Sequence, residues 1–125
     1  MTIEQVISKA DDLAPNQYTT EQKTGWLSGL DGQVWDELFA NHHGREGHYN
    51  PVPPEGYTSE EAKLLIPEPY GTEVYVNYIL GQVAAMNGEI TKYTQFMTLY
   101  NAAMTKFSNY WNRTHMPRQT ARWRY

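Results

Sequence analysis

Three histidines, His42, His43 and His48, lie close together with Glu46 among them, and imidazole with carboxylate is a donor set for zinc or nickel. Their spacing matches no established ligand pattern. The surrounding stretch, HHGREGHYNPVPPEGY, holds three Gly, three Pro and three His in 16 residues. A metal needs ligands held at fixed distances, which a glycine- and proline-rich segment supplies poorly, so residues 41–57 are expected to be a solvated irregular loop without a metal. Glu60, Glu61 and Glu68 are the other groups that could do chemistry, as a carboxylate pair for acid–base work. Thr58-Ser59-Glu60-Glu61 is also a capping-box pattern, and acids at a helix start complement the helix dipole, which is the simpler account. The chain has no HExxH, no Walker glycine loop, no GxGxxG and no GxSxG, and with no cysteine it has no thiol chemistry. No catalytic residue, no cofactor and no enzymatic activity are expected.

The elements around these groups are legible from capping and periodicity. Thr2, with Gln5 three positions on, opens a first helix whose Ile3, Val6, Ile7 and Ala10 share one face and which Pro15 stops. Thr19 with Gln22 repeats the pattern and opens a second helix carrying Trp26, Leu27, Leu30, Val34, Trp35, Leu38 and Phe39 at spacings of three and four. Asp11 and Asp12 are expected to be solvated at the end of the first helix. A single helical turn is expected through Leu64 and Leu65, with Pro67 and Pro69 preventing its continuation.

The longest regular signal is Tyr75, Ile79, Val83, Met86, Ile90, Tyr93, Met97, Tyr100, Met104, Phe107 and Trp111, which step by four or three throughout. This is close to a heptad seam. It passes through Asn87-Gly88 without a phase slip, which favours one helix of about forty residues, roughly 55–60 Å long, with a weak point at Gly88. Two antiparallel helices broken at Asn87-Gly88 are the competing arrangement. Pro117 disfavours helical geometry at Met116, so this helix should end near Asn112. The stripe reads as core and subunit interface, because such a helix is longer than a 125-residue globule needs. The expected fold class is all-α, with short N-terminal helices packed on one long C-terminal helix, kinked or straight at Gly88, a long irregular loop and an extended C-terminal tail.

Charge divides the chain. The net charge is −4, but residues 1–112 carry 14 acids and 6 basic side chains, whereas residues 113–125 carry four Arg and no acid. The body is thus at −8 and the tail at +4. Within the tail, Arg113, His115, Arg118, Arg122 and Arg124 are interleaved with Trp123 and Tyr125. Such a mixture is a weak nucleic-acid signature and is equally enriched at protein interfaces. An acidic body repels free DNA, which favours docking of the tail onto a protein. No stretch approaches the length of a membrane span, the N-terminus has no signal-peptide pattern, and the chain is expected to be soluble and unexported, with the Asn112-Arg113-Thr114 sequon a coincidence.

Several segments taken together resemble a known family. They are Asn16-Gln17-Tyr18, Glu21-Gln22-Lys23, Trp26-Leu27, Leu30-Asp31-Gly32, Leu65-Ile66-Pro67-Glu68-Pro69-Tyr70, Asn87-Gly88-Glu89 and Tyr110-Trp111-Asn112-Arg113-Thr114-His115-Met116-Pro117. In these the chain is similar to head-to-tail connector proteins of tailed phages and prophages, also called adaptors or head-completion proteins, over most of its length except residues 41–57. The resemblance implies a mostly helical structural virion protein without enzymatic activity, found at the head–tail junction and in the host cytoplasm during assembly. It implies residues 1–112 as a connector domain and 113–125 as a tail docking on the portal protein. Neighbouring copies would complete a twelve-fold ring, and a tail or neck protein would bind the opposite rim. DNA would pass through the lumen without specific binding. The alternative from another class is a small nucleic-acid-binding module using the Arg-rich tail.

Overall fold

The computed structural model describes residues 2–39, 42–43, 63–114 and 116–117. The Thr2 hydroxyl accepts the Gln5 amide N–H while the Gln5 side chain accepts the Thr2 N–H, and this closed box starts α1, Ile3–Leu13. Ile3, Val6, Ile7 and Ala10 form its buried face. Each of the three larger side chains contributes about 1.5–3 kcal/mol by leaving water. The same reciprocal pair, Thr19 with Gln22, starts α2, Thr20–Val34, which continues into a π-helical turn, Trp35–Phe39.

Two further helices follow, α3 (Gly71–Met86) and α4 (Ile90–Thr114). A pair of two-residue antiparallel strands, β1 (His42–His43) and β2 (Met116–Pro117), ties the chain after the π-helical turn to the chain after α4. Val74, Tyr75, Val76, Ile79, Leu80, Val83 and Ala84 of α3 are all buried. A helix apolar around most of its circumference must be covered from several directions. Accordingly α1, α2 and α4 all pack on α3, and the all-α architecture is built around it.

The single long helix expected from the seam is instead a helical hairpin. Gly88 has φ +76°, a left-handed conformation open to glycine at little cost. Its N–H donates to the Ala85 carbonyl at 3.2 Å, and the Glu89 N–H donates to the Ala84 carbonyl at 2.9 Å. These two bonds form a Schellman motif, which satisfies the last carbonyls of α3 and turns the chain. Apolar phase survives because the turn folds the seam back on itself. Tyr78 lies 5.3 Å from Tyr100 by ring centroids, and Tyr70 lies 5.7 Å from Phe107.

One other expectation needs correction. Leu64 and Leu65 are not helical: Lys63 forms an isolated antiparallel bridge with Thr2, and Leu64, Leu65 and Ile66 continue from it as buried, irregular chain. The capping pattern at 58–61 lies outside the described residues. Helix α4 ends at Thr114, close to the end near Asn112 expected from Pro117.

A tight turn at 67–70, with the Tyr70 and Gly71 amides donating to the Pro67 carbonyl, delivers the chain into α3. The Glu68–Pro69 bond in it is cis. Glu68 caps α3, its two carboxylate oxygens accepting the Thr72 N–H at 2.8 Å and the Thr72 hydroxyl at 2.7 Å. This matches its reading as a helix-start acid. At Gly71 an added Cβ would lie 2.8 Å from the Ile66 carbonyl oxygen, whereas at Gly29 nothing lies within 4 Å. Gly71→Ala is therefore expected to destabilise by about 1–3 kcal/mol, by forcing backbone apart. Gly29→Ala should stabilise by about 0.5–1 kcal/mol through helix propensity. Urea denaturation of both variants measures the two opposite signs.

Candidate functional site

Two charged side chains are buried where sequence periodicity places apolar ones. Asp31 is fully buried on α2; it accepts the Leu65 N–H at 2.8 Å and the Tyr75 hydroxyl at 2.5 Å, and the Tyr75 oxygen in turn accepts the Ile66 N–H at 2.7 Å. Lys23 is 3% exposed and its Nζ donates to Asp11 Oδ1 at 2.7 Å. Asp11 also accepts from Asn16 Nδ2 at 3.0 Å, so it is an anchoring group and not the solvated acid expected, while Asp12 is exposed. The missed signal was present: Lys23 and Asp31 fall in phase with Leu27, Leu30 and Val34.

The segments that carry the family resemblance meet in pairs. Tyr18 OH donates to Asn87 Oδ1 at 2.6 Å, joining the α1–α2 connection to the hairpin turn. Asp31 joins Leu65, and Tyr70 stacks on Tyr110 at 4.9 Å. Each contact holds two elements together. These residues shape the body.

Seam residues separate into two groups. Tyr75, Ile79, Val83, Phe107 and Trp111 are core, and Met97, Tyr100 and Met104 are half-buried. Met86, Ile90 and Tyr93 are exposed at the hairpin end, Met86 at 58% and Ile90 at 77%. Leu99, outside the seam, is 53% exposed. Arg113 is exposed in the last turn of α4. His115, Arg118, Arg122, Trp123, Arg124 and Tyr125 lie outside the described residues, as do Glu46, His48, Glu60 and Glu61. Among the described residues no group of three His, Asp or Glu is placed to hold a metal, and no described helix is long and apolar enough to cross a membrane.

The helix boundary relocates the charge boundary. Residues 1–89 carry all 14 acids against four basic side chains, or −10, and residues 90–125 carry six basic side chains and no acid, or +6. The switch of sign falls at the hairpin turn, not at the end of α4. Glu89 and Lys92 pair across it at 3.1 Å, and the Lys92 hydrogen bond holds the Glu89 carboxyl below its usual range.

Clefts among the described residues include one beside the hairpin turn and one between α2 and α4. The first, about 500 Å³, has Leu80, Val83, Ala84 and Phe96 at its base, with Leu13 and Pro15 alongside. The second, about 190 Å³, lies against Leu30, Val34, Glu37, Tyr100 and Met104. Burial, reinforced by Tyr78 and Glu37, pushes the Tyr100 phenol up to about 12 from an ordinary 10.0, and burial likewise raises Tyr78. Compared with known proteins, the chain matches no family model, no curated protein and no solved structure.

Two outcomes are expected. Tyr75→Phe deprives Asp31 of a donor and the Ile66 N–H of its acceptor, and should cost about 1–3 kcal/mol in thermal or urea unfolding. For Tyr100, a folded pKa raised above the unfolded one means the unfolded chain loses its proton first. Its contribution to stability is thus complete below pH 10 and disappears as pH rises toward 12. Stability measured across that window should fall less steeply in Tyr100→Phe than in the unaltered protein.

Proposed function

We propose that this chain is a structural virion protein, a ring subunit that joins the portal of a phage head to the tail. The observation that carries the reading is the segregation of charge along an all-helical body, −10 over residues 1–89 and +6 beyond. Such a subunit has to offer one sign of charge to a docking partner while its bulk repels the phosphates that slide past. Exposed Met86, Ile90 and Leu99 add apolar contact area of the kind assembly covers. The sequence resemblance to connector proteins supports the same reading. Residues 113–125 dock on the portal, neighbouring copies close a ring, for which the resemblance implies twelve-fold symmetry, and the far rim receives a tail or neck protein.

The acid-free stretch also favours a second reading, a small nucleic-acid-binding module. One experiment separates the two. Removing residues 118–125, which deletes three of the six cations, should leave helical circular dichroism unchanged and abolish co-sedimentation with portal rings. Undiminished co-sedimentation overturns portal docking by the tail. Tight binding of random duplex by the full chain, steeply weakened by salt, transfers the assignment to the nucleic-acid reading.

A further inference from the structure

The outward face of α4 is a second stripe with its own period. Lys92, Gln95, Leu99, Ala102, Lys106, Asn109 and Arg113 step by three and four, and every one is exposed. The face has three cations, no acid, and Leu99 midway between Lys92 and Lys106. At one end Lys92 pairs with Glu89 and, with Gln95, borders the cleft beside Leu13 and Pro15; from Leu99 to Arg113 the stripe is exposed among the described residues.

The outward face of α2 is its counterpart in charge and spacing. Glu21 and Asp36 are exposed near its two ends, and between them lie Gly25, Gly29 and Gly32, around whose Cα atoms nothing stands within 4 Å of an added Cβ. Glycine inside a helix costs up to about 1 kcal/mol relative to alanine, and among the described residues no contact requires any of these three. Absent side chains do allow another helix to approach closely. Lys92 to Lys106 spans roughly 21 Å along α4, and Glu21 to Asp36 roughly 22 Å along α2 and the turn after it. Leu99 stands roughly 10 Å from Lys92, and Gly29 roughly 12 Å from Glu21, so the exposed leucine of one stripe falls opposite the glycines of the other.

We infer that the α4 outer face of one copy docks on the α2 outer face of a second copy, with Lys92 and Lys106 over Glu21 and Asp36 and Leu99 over Gly29. This contact rests on the ring reading and specifies its lateral interface. The occupant is a second copy because this chain itself carries the complementary charge at matching spacing. Two different faces meet, so each copy retains one free face of each kind, and the arrangement propagates to a ring.

The test uses the full chain in sedimentation velocity at high concentration and low salt. Lys92→Glu/Lys106→Glu gives a protein acidic on both faces, and Glu21→Lys/Asp36→Lys gives one basic on both. Each alone should associate at least about tenfold more weakly than the unaltered chain. An equimolar mixture should associate again, because alternating copies restore opposite charges at every contact, and that recovery also establishes that both variants are folded. Gly29→Leu, with open space around it in the protomer, should keep its helical signal and lose association. If the reversed variants associate as the unaltered chain does, the face pairing is wrong while the ring reading stands. An unaltered chain that stays monomeric alone and assembles on portal rings equally well with or without the reversals likewise overturns the pairing alone. Failure to assemble under any of these conditions overturns both. Loss of duplex binding, rather than of self-association, in Lys92→Glu/Lys106→Glu assigns the stripe to nucleic acid and also overturns the inference.

Discussion

The fold depends on a carboxylate with no access to water. Asp31 is fully buried, and an ionised carboxyl there is tolerable only while hydrogen-bond donors surround it. Two of its donors come from places distant in sequence: the Leu65 amide, in a stretch with no regular structure, and the Tyr75 hydroxyl, in the central helix. Because the Tyr75 oxygen also takes the Ile66 amide, the irregular stretch has two of its buried N–H groups satisfied by side chains. That is why residues 64–66 lie in the core without a helix or a sheet ladder. Helix α2, the 64–66 segment and α3 are thus fastened at one polar point inside an apolar cluster, and the position of α3 fixes where α1 and α4 pack.

Local chemistry was legible in the sequence, and the chain's return path was not. Both N-terminal capping boxes, the buried faces they introduce and the all-α class follow from short-range patterns, and the helices formed accordingly. The hairpin was obscured because heptad spacing reports which residues share a face, and this is identical for a straight helix and for one folded back on its own apolar side. Asn87-Gly88 is the discriminating signal, because the left-handed geometry that Gly88 supplies turns the chain whatever the continuity of phase. Density of apolar residues was the second clue. Seven buried side chains on α3, in addition to its buried glycines, need neighbours on several sides, which a lone forty-residue helix lacks. The contact surface was only partly legible. Met86, Ile90 and Tyr93 were named as seam, but a seam that crosses a turn leaves its crossing point outside the core.

Residues of the segments on which the expected resemblance to connector proteins rests act as joints in this body. Asn16 orders the turn after α1 by donating to the Ala14 carbonyl and accepting the Tyr18 N–H, and Tyr18 then reaches the hairpin turn through Asn87. Lys23, itself 3% exposed, holds Asp11 from the next helix through a 2.7 Å contact that ties α2 to the end of α1. Each joint crosses between elements that sequence separates. A resemblance distributed over joints, with no catalytic constellation at its centre, describes a shape. It bears on function through the surfaces that the shape presents.

Those surfaces differ in a way that constrains assembly. Pairing two α4 outer faces brings Lys92, Lys106 and Arg113 against their own kind, and pairing two α2 faces does the same for Glu21 and Asp36. A two-fold, self-complementary contact through either face is therefore repulsive, whereas α4 against α2 is attractive. Contacts between unlike faces close into rings or extend into filaments, depending only on the rotation from one copy to the next. Density of charge also argues about the partner. Three cations over the 25 residues of α4 are sparse for a duplex carrying a charge about every 1.7 Å. They suit a helix face with acids at two points and glycine between, where in the inferred contact Ala102 within the stripe and the neutral Thr98 and Thr105 beside it would lie close to bare backbone.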